Sequence, residues 1–185
     1  MAAQRKKTLR ADGERNRERI VATAAKLIAR DGAQVSLELV ARRAGVGSAT
    51  LHRHFPSRWA LLEVVFRDGV ARLCARASAL PGKDAPAELA AWLEDLVVYT
   101  ASNRGLAAAL LAAPDGPKRE EICCTDMVRD ALELLVKRAT AANGLQPGTS
   151  ADDLLMLTNA IGASTENDPK AARRLLRLAL NGIAR

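Results

Sequence analysis

SLELVARRAGVGSATLHRHF, residues 36 to 55, has the punctuation of two short helices joined by a tight turn. Ser36 suits the N-cap of the first helix, Leu37, Val40 and Ala41 recur at helical spacing, and Gly45 marks its end. Ser48 suits the cap of a second helix, which carries Leu51 and Phe55 on its buried side. Val46, bracketed by Gly45 and Gly47, suits a plug for the small core at the turn. The pattern predicts a helix-turn-helix. Its second helix presents Ser48, Ala49, Thr50, His52, Arg53 and His54, a polar and basic set whose hydroxyls and cations match phosphates and base edges.

The flanking sequence supports that unit on both sides. From Gly13 to Arg30 the apolar positions Ile20, Ala24, Leu27 and Ile28 predict one amphipathic helix, ended near Gly32. Before it, residues 1 to 12 hold Arg5, Lys6, Lys7 and Arg10 without apolar periodicity, which predicts a basic flexible arm able to reach DNA or simply to keep the chain in solution. After it, Pro56 breaks the chain, Ser57 can cap, and Ala60, Leu61, Val64, Val65 and Gly69 mark the inward face of a connector helix. Arg58, in the first turn of that helix, is expected on the same surface as His52 and His54, touching a phosphate.

Charge follows the same division. The chain of 185 residues carries a net charge of +7. From Met1 to Arg58 there are 13 Lys and Arg against 5 Asp and Glu, a net +8; from Trp59 to Arg185 there are 15 against 16, a net −1. A positive block on the segment that holds a helix-turn-helix is the electrostatic footprint of nucleic-acid binding. With 49% apolar residues the chain has material for a sizeable core. No apolar run approaches the roughly 18 to 20 residues that span a bilayer, and the charged N-terminus lacks the apolar core of a leader, so a cytoplasmic protein without a membrane partner is expected. Cys74, Cys123 and Cys124 make an odd count with an adjacent pair, which points to reduced, buried thiols rather than a disulfide framework.

Residues 15 to 66 resemble the DNA-binding domain of TetR-family transcriptional regulators. Ala44-Gly45-Val46, Thr50-Leu51, His54-Phe55-Pro56 and Ser57-Arg58 stand at the family's spacing. His52 stands where the family usually has Tyr, Ala49 where Gly is common, Arg58 where Lys is common, and Trp59 where an acid is usual. The resemblance implies a three-helix DNA-binding domain over residues 13–58, and a helical ligand-binding and dimerisation domain over residues 59–185.

The remaining residues independently read as helical. Pro81-Gly82 and Pro86 separate the connector from a helix in which Leu89, Trp92, Leu93, Leu96, Val97 and Thr100 recur at helical spacing. Gly105 to Ala113, nearly all Ala and Leu, reads as a short buried segment, and Pro114-Asp115-Gly116-Pro117 as a loop. A long helix is expected from Glu120 to Ala142, with Ile122, Cys123, Val128, Leu132, Leu135 and Val136 inward. Two more follow, from Ala151, capped by Ser150, to Ala163, and from Pro169 to Ile183. The whole is an all-α chain of about nine helices, with no strand-period segment and no internal repeat. Leu175, Leu176, Leu178 and Leu180 cover more than one narrow face, as a helix packed on a second molecule would. In the family the last two helices build a four-helix dimer interface, which implicates Leu154, Leu155 and Thr158 with those four leucines.

One helix-turn-helix reads only a few base pairs, so useful specificity calls for a homodimer on a palindromic or pseudo-palindromic site of double-stranded DNA. Ser48, Ala49 and Arg53 are assigned to bases, with Arg53 matched to guanine and Ala49 to a thymine methyl. Thr50, His52, His54 and Arg58 are assigned to phosphates, Ser36 joins the DNA-facing set, and of the adjacent Arg42 and Arg43 at most one touches DNA well. The resemblance further implies a small molecule that releases DNA, making the protein a ligand-responsive repressor. Trp92, Leu96, Tyr99, Cys123, Met127 and Met156 are the candidate lining of a largely apolar pocket for a neutral or lipophilic ligand, against the plainer reading of such a stripe as core.

Competing classes remain at this level. A DNA-binding regulator without a ligand, acting through charge alone or through a protein partner, fits the same sequence, as does a redox-sensing one using Cys123 and Cys124. An enzyme fits poorly. His52 and His54, two apart, fall on different faces of a short helix and do not suit a shared metal, no histidine lies near the cysteines, and no Gly-rich phosphate loop is present. No metal and no cofactor is expected.

Overall fold

The computed structural model describes residues 2–111, 125–165 and 168–182. Among them the chain forms eight α-helices: α1 (Ala2–Asp31), α2 (Leu37–Ala44), α3 (Ser48–His54), α4 (Arg58–Ala79), α5 (Ala85–Leu111), α6 (Thr125–Ala141), α7 (Ala151–Ser164) and α8 (Pro169–Asn181). The all-α architecture expected from the sequence is present. The chain divides into two compact units, one of residues Met1–Phe66 with Gly105–Pro117 and one of Arg67–Arg104 with Lys118–Arg185. The division falls inside α4, past the expected boundary after Arg58.

Two differences from expectation have simple causes. Where a flexible arm is expected over residues 1 to 12, α1 is helical from Ala2. Ala, Gln, Arg, Lys and Leu dominate that segment, and such residues extend a helix already nucleated by a buried stretch. Downstream, the separate segment expected from Gly105 is the end of α5, which runs unbroken to Leu111. A glycine with no left-handed turn and no following proline costs a helix only about 1 kcal/mol, which the Ala/Leu run after it offsets. This removes one helix from the expected count of nine. The expected beginning of the following helix, including Ile122, Cys123 and Cys124, lies outside the described residues, as do the loop at Pro114 to Pro117 and Ile183, the expected end of the last helix.

In the first unit α1 supplies the fully buried Ile20, Ala24 and Ile28, against which Val40 and Ala41 of α2 and Leu51 of α3 are also buried. Ser36 caps α2 as its position predicts, its hydroxyl accepting the Leu39 N–H at 3.1 Å. In the second unit Trp92, Leu93, Leu132, Leu135, Leu154 and Leu176 are each at most 1% exposed. The Trp92 indole N–H donates to the Leu73 carbonyl at 2.9 Å, so the one polar atom of that buried ring is satisfied. α5 and α7 approach closely at Gly162, where a Cβ would stand 2.6 Å from Thr100 Cγ2.

Candidate nucleic-acid interface

The turn between α2 and α3 is built from backbone chemistry that the sequence dictates. Gly45 sits in the left-handed region at φ 64 and ψ 38, which a side chain would make costly. Its N–H donates to the Arg42 carbonyl at 3.3 Å and the Val46 N–H donates to the Ala41 carbonyl at 3.0 Å, closing the end of α2. Val46 and Gly47 then carry the chain to α3. The carbonyl of Gly47, the N-cap residue, accepts from the N–H groups of Thr50 at 2.9 Å and Leu51 at 3.0 Å. Ser48, expected to be that cap, is instead the first residue of α3, one position past Gly47. It is exposed.

An arginine that the sequence reading passed over fixes this turn. The Arg19 guanidinium, on α1, donates from Nη2 to the Ala44 carbonyl at 2.5 Å and the Gly45 carbonyl at 3.4 Å. A cation there also meets the negative end of the α2 dipole. A Cβ on Gly45 would stand 2.8 Å from the same Nη2, the movable end of a flexible side chain, so it is the backbone angles that call for glycine there. The available signal in the sequence was a basic residue directly before the buried Ile20, one position off the apolar stripe.

α3 has two distinct sides. Leu51 is wholly buried and Phe55, just after the helix, is 2% exposed, with the Arg17 guanidinium 5.8 Å from the Phe55 ring centre. Ser48, Ala49, His52 and Arg53 are exposed, while Thr50 and His54 are half-buried. His54 turns toward α1, where a Cβ on Gly13 would lie 3.9 Å from its Cε1. Arg42 and Arg43 are both exposed. The Arg30 hydrogen bond holds the Asp31 carboxyl below the usual carboxylate range, and the positive charge of Arg43 adds a smaller effect in the same direction.

The side chain of Arg58, expected at a phosphate, lies against its own chain. Its guanidinium donates from Nη2 to the Ala33 carbonyl and lies 5.2 Å from the Trp59 ring centre. Its Nε is buried, with no hydrogen-bond partner among the described residues. A carbonyl left open by the turn between α1 and α2 and a flat ring beside it draw the side chain inward.

The expected ligand-lining residues that the structure describes stand in different surroundings. Trp92 and Leu96 belong to the core, Met156 is 72% exposed on α7 and Met127 is 43% exposed on α6, and the Tyr99 hydroxyl lies over Gly69, 2.5 Å from where a Cβ would be. Cys123 lies outside the described residues. Met127 does border a cleft of about 410 Å³ between α4 and α6, lined by Ala71, Cys74, Ala75, Ser78, Met127, Asp130, Ala131 and Leu134. Among the described residues no group of His, Cys, Asp and Glu is placed to hold a metal, and no helix is long and apolar enough to cross a membrane.

The expected dimer set divides as well. Leu154, Leu155, Thr158 and Leu176 are buried within the chain, whereas Leu178 is 65% and Leu175 37% exposed; Leu180 is half-buried. Thr158 fits inside because its hydroxyl donates to the Leu154 carbonyl at 2.7 Å. Met156, assigned from the sequence to the pocket, joins the outward group instead.

Comparison with known proteins bears on both halves of the chain. Residues 20–65 match the family model of bacterial regulatory proteins of the tetR family, and residues 84–185 match the C-terminal domain of SbtR-like transcriptional regulators. No curated protein matches the chain. Among solved structures, a TetR transcriptional regulator from Streptomyces coelicolor is 33% identical, with a TM-score of 0.75 over 91% of this chain and 98% of that one. A TetR transcription regulatory protein from Mycobacterium vanbaalenii is 28% identical, with a TM-score of 0.75 over 96% and 99%. The fold is also that of a gamma-butyrolactone receptor, at 17% identity and a TM-score of 0.60 over 94% and 90%. Matched along its reading helices and its C-terminal helices alike, the chain belongs to the TetR family of DNA-binding transcriptional regulators.

Proposed function

We propose that the protein is a homodimeric, ligand-responsive repressor that reads a two-fold symmetric operator through α3. The observation that carries this is the polarity of α3: Leu51 is wholly buried while Ser48, Ala49, His52 and Arg53 are exposed along its other side. Arg53 is the base-reading cation, matched to guanine O6 and N7, and Ala49 and Ser48 meet the neighbouring bases. Thr50, His52 and Arg42 hold phosphates, with the hydroxyl of Ser36 beside them at the start of α2, and His54 and Arg43 contribute charge from the flanks. Two such heads are needed, because one short helix cannot specify a site in a genome. The exposed Met156, Leu175 and Leu178 supply the apolar material that joins two chains.

Control by a small molecule rests on the match to the SbtR-like C-terminal domain and on the cleft beside Met127, whose lining is mostly apolar with Ser78, Cys74 and Asp130 at its polar points. A neutral or lipophilic compound suits it. Occupancy that favours a conformation with misplaced heads lowers operator affinity by the compound's differential affinity for the two states. A dimer seated on a promoter represses by occlusion.

Selection of bound fragments from random DNA by the purified protein tests the whole reading. An enriched inverted repeat, with guanine at a position sensitive to Arg53→Ala, is the expected result. Enrichment of a single unpaired half-site would overturn the dimeric part, and no enrichment would overturn sequence-specific binding itself.

A further inference from the structure

We propose that Arg58 is a positioning residue that fastens the start of α4 to the turn before α2, and that it makes no contact with DNA phosphate. Three features of one side chain meet here. Its Nη2 donates to the Ala33 carbonyl, its plane lies 5.2 Å from the Trp59 ring centre, and its Nε is buried. A phosphate ligand offers its donors to solvent, whereas here Nη2 is engaged by the Ala33 carbonyl, Nε is buried and an indole lies against the guanidinium. An acid beside Arg58 would pair with it. An indole instead gives it a flat surface, and only a planar guanidinium can use that surface while donating sideways to a carbonyl.

The consequence lies in the geometry of reading. Ala33 is 7% exposed and Val35 5% exposed, so the short turn between α1 and α2 is seated in the core of the first unit. Ser36, the N-cap of α2, follows at once. A donor from α4 to Ala33 therefore holds the beginning of the helix-turn-helix, as Arg19 from α1 holds its middle. Loosening that hold lets α2 and α3 shift against the bases without removing any charge from the phosphate-facing surface. The loss falls on specific binding, which depends on register, and spares non-specific binding, which depends on charge.

The inference rests on the proposed reading of DNA, and the experiment separates the two. The full-length protein and its Arg58→Ala, Arg58→Lys and Trp59→Ala variants are titrated with the best duplex enriched from random DNA and with an unrelated duplex, across a salt series. Backbone amide exchange over residues 32 to 36 is measured without DNA. Arg58→Ala is expected to weaken specific binding about tenfold, the worth of one charge-assisted hydrogen bond, with unrelated DNA and the salt slope unchanged and the amides of 32 to 36 exchanging faster. Arg58→Lys should behave like Arg58→Ala, and Trp59→Ala should show the same signature more weakly. A salt slope that falls by about 2 for a two-fold dimer, one phosphate per head, with rescue by Arg58→Lys, would overturn the inference while leaving DNA reading intact. Specific binding unchanged in all three variants would overturn it too, as would unaltered amide exchange. If no duplex is enriched, the DNA reading fails and takes this role with it.

Discussion

α3 and α8 are both helices with one buried side and one open side, and their open sides ask for different partners. α3 buries Leu51 and leaves Ser48, Ala49, His52 and Arg53 outside. α8 buries Ala172 and Leu176 and leaves Leu178 65% exposed among Arg173, Arg174 and Arg177. An outward set of hydroxyls and cations loses nothing in water and gains most against phosphate and base edges. Outward leucines gain only when another apolar surface covers them. The contrast teaches that amphipathicity alone does not mark the DNA-facing helix; what stands on the open side does.

The strongest way to break this comparison is to charge the apolar open side. Replacing Met156 and Leu178 together by Asp is expected to give a folded monomer by sedimentation, with far-UV circular dichroism unchanged. Operator affinity should fall by roughly 10² to 10⁴, because the second head no longer binds as part of the same molecule. A double variant that remained dimeric would show that these side chains face something other than a second chain. The next largest effect lies on the buried side of α3. Leu51→Ala should cost about 2 to 5 kcal/mol in denaturant unfolding of the first unit, from lost transfer energy and the cavity left behind, with the dimer unaffected. A loss under about 1 kcal/mol would mean that α3 is held by its turn and not by its core contact.

Legibility in the sequence follows the same divide. Gly45 could be recognised as a stop because a left-handed residue after an amphipathic run is a local requirement, and the structure gives it φ 64. Ser36 was legible as a cap for the same reason. Ser48 was not, since the number of residues needed to leave a left-handed turn is set by the path to α3 and not by residue type. Arg19 and Arg58 were opaque because both spend their donors on carbonyls 25 residues away in sequence, and nothing in a basic residue's neighbours reveals a distant acceptor. In the second unit Leu154 and Leu178 are alike in sequence, and only packing decides that one is 1% and the other 65% exposed.

On the open side of α3 a smaller change sharpens the comparison. Arg53→Ala is expected to cost about 1 to 3 kcal/mol for the preferred base pair at one position of each half-site, and much less for other pairs there. Competition binding with duplexes varied at each position reads it directly. A uniform loss over all positions would place Arg53 on the backbone instead of the bases.

The smallest expected effect concerns how α8 itself is held. Glu94 on α5 accepts from Arg177 Nε at 2.6 Å and Nη2 at 2.9 Å, and Arg173 Nε lies 3.3 Å from the same carboxylate. This forked pair raises the Arg177 guanidinium above its ordinary value through the hydrogen bond and the charge of Glu94. Yet the Arg177 side chain is 63% exposed and Arg173 44%, so water and salt compete for both cations. Glu94→Gln should therefore lower stability by under about 1 kcal/mol, and the difference should shrink as salt is raised through the range where the screening length falls below about 10 Å. Leu176, wholly buried, carries the attachment of α8 as Leu51 does that of α3. A loss of several kcal/mol on Glu94→Gln, persisting at high salt, would mean that the pair is shielded from water in the working protein. The second chain would then have to cover the arginines of α8 along with its leucines.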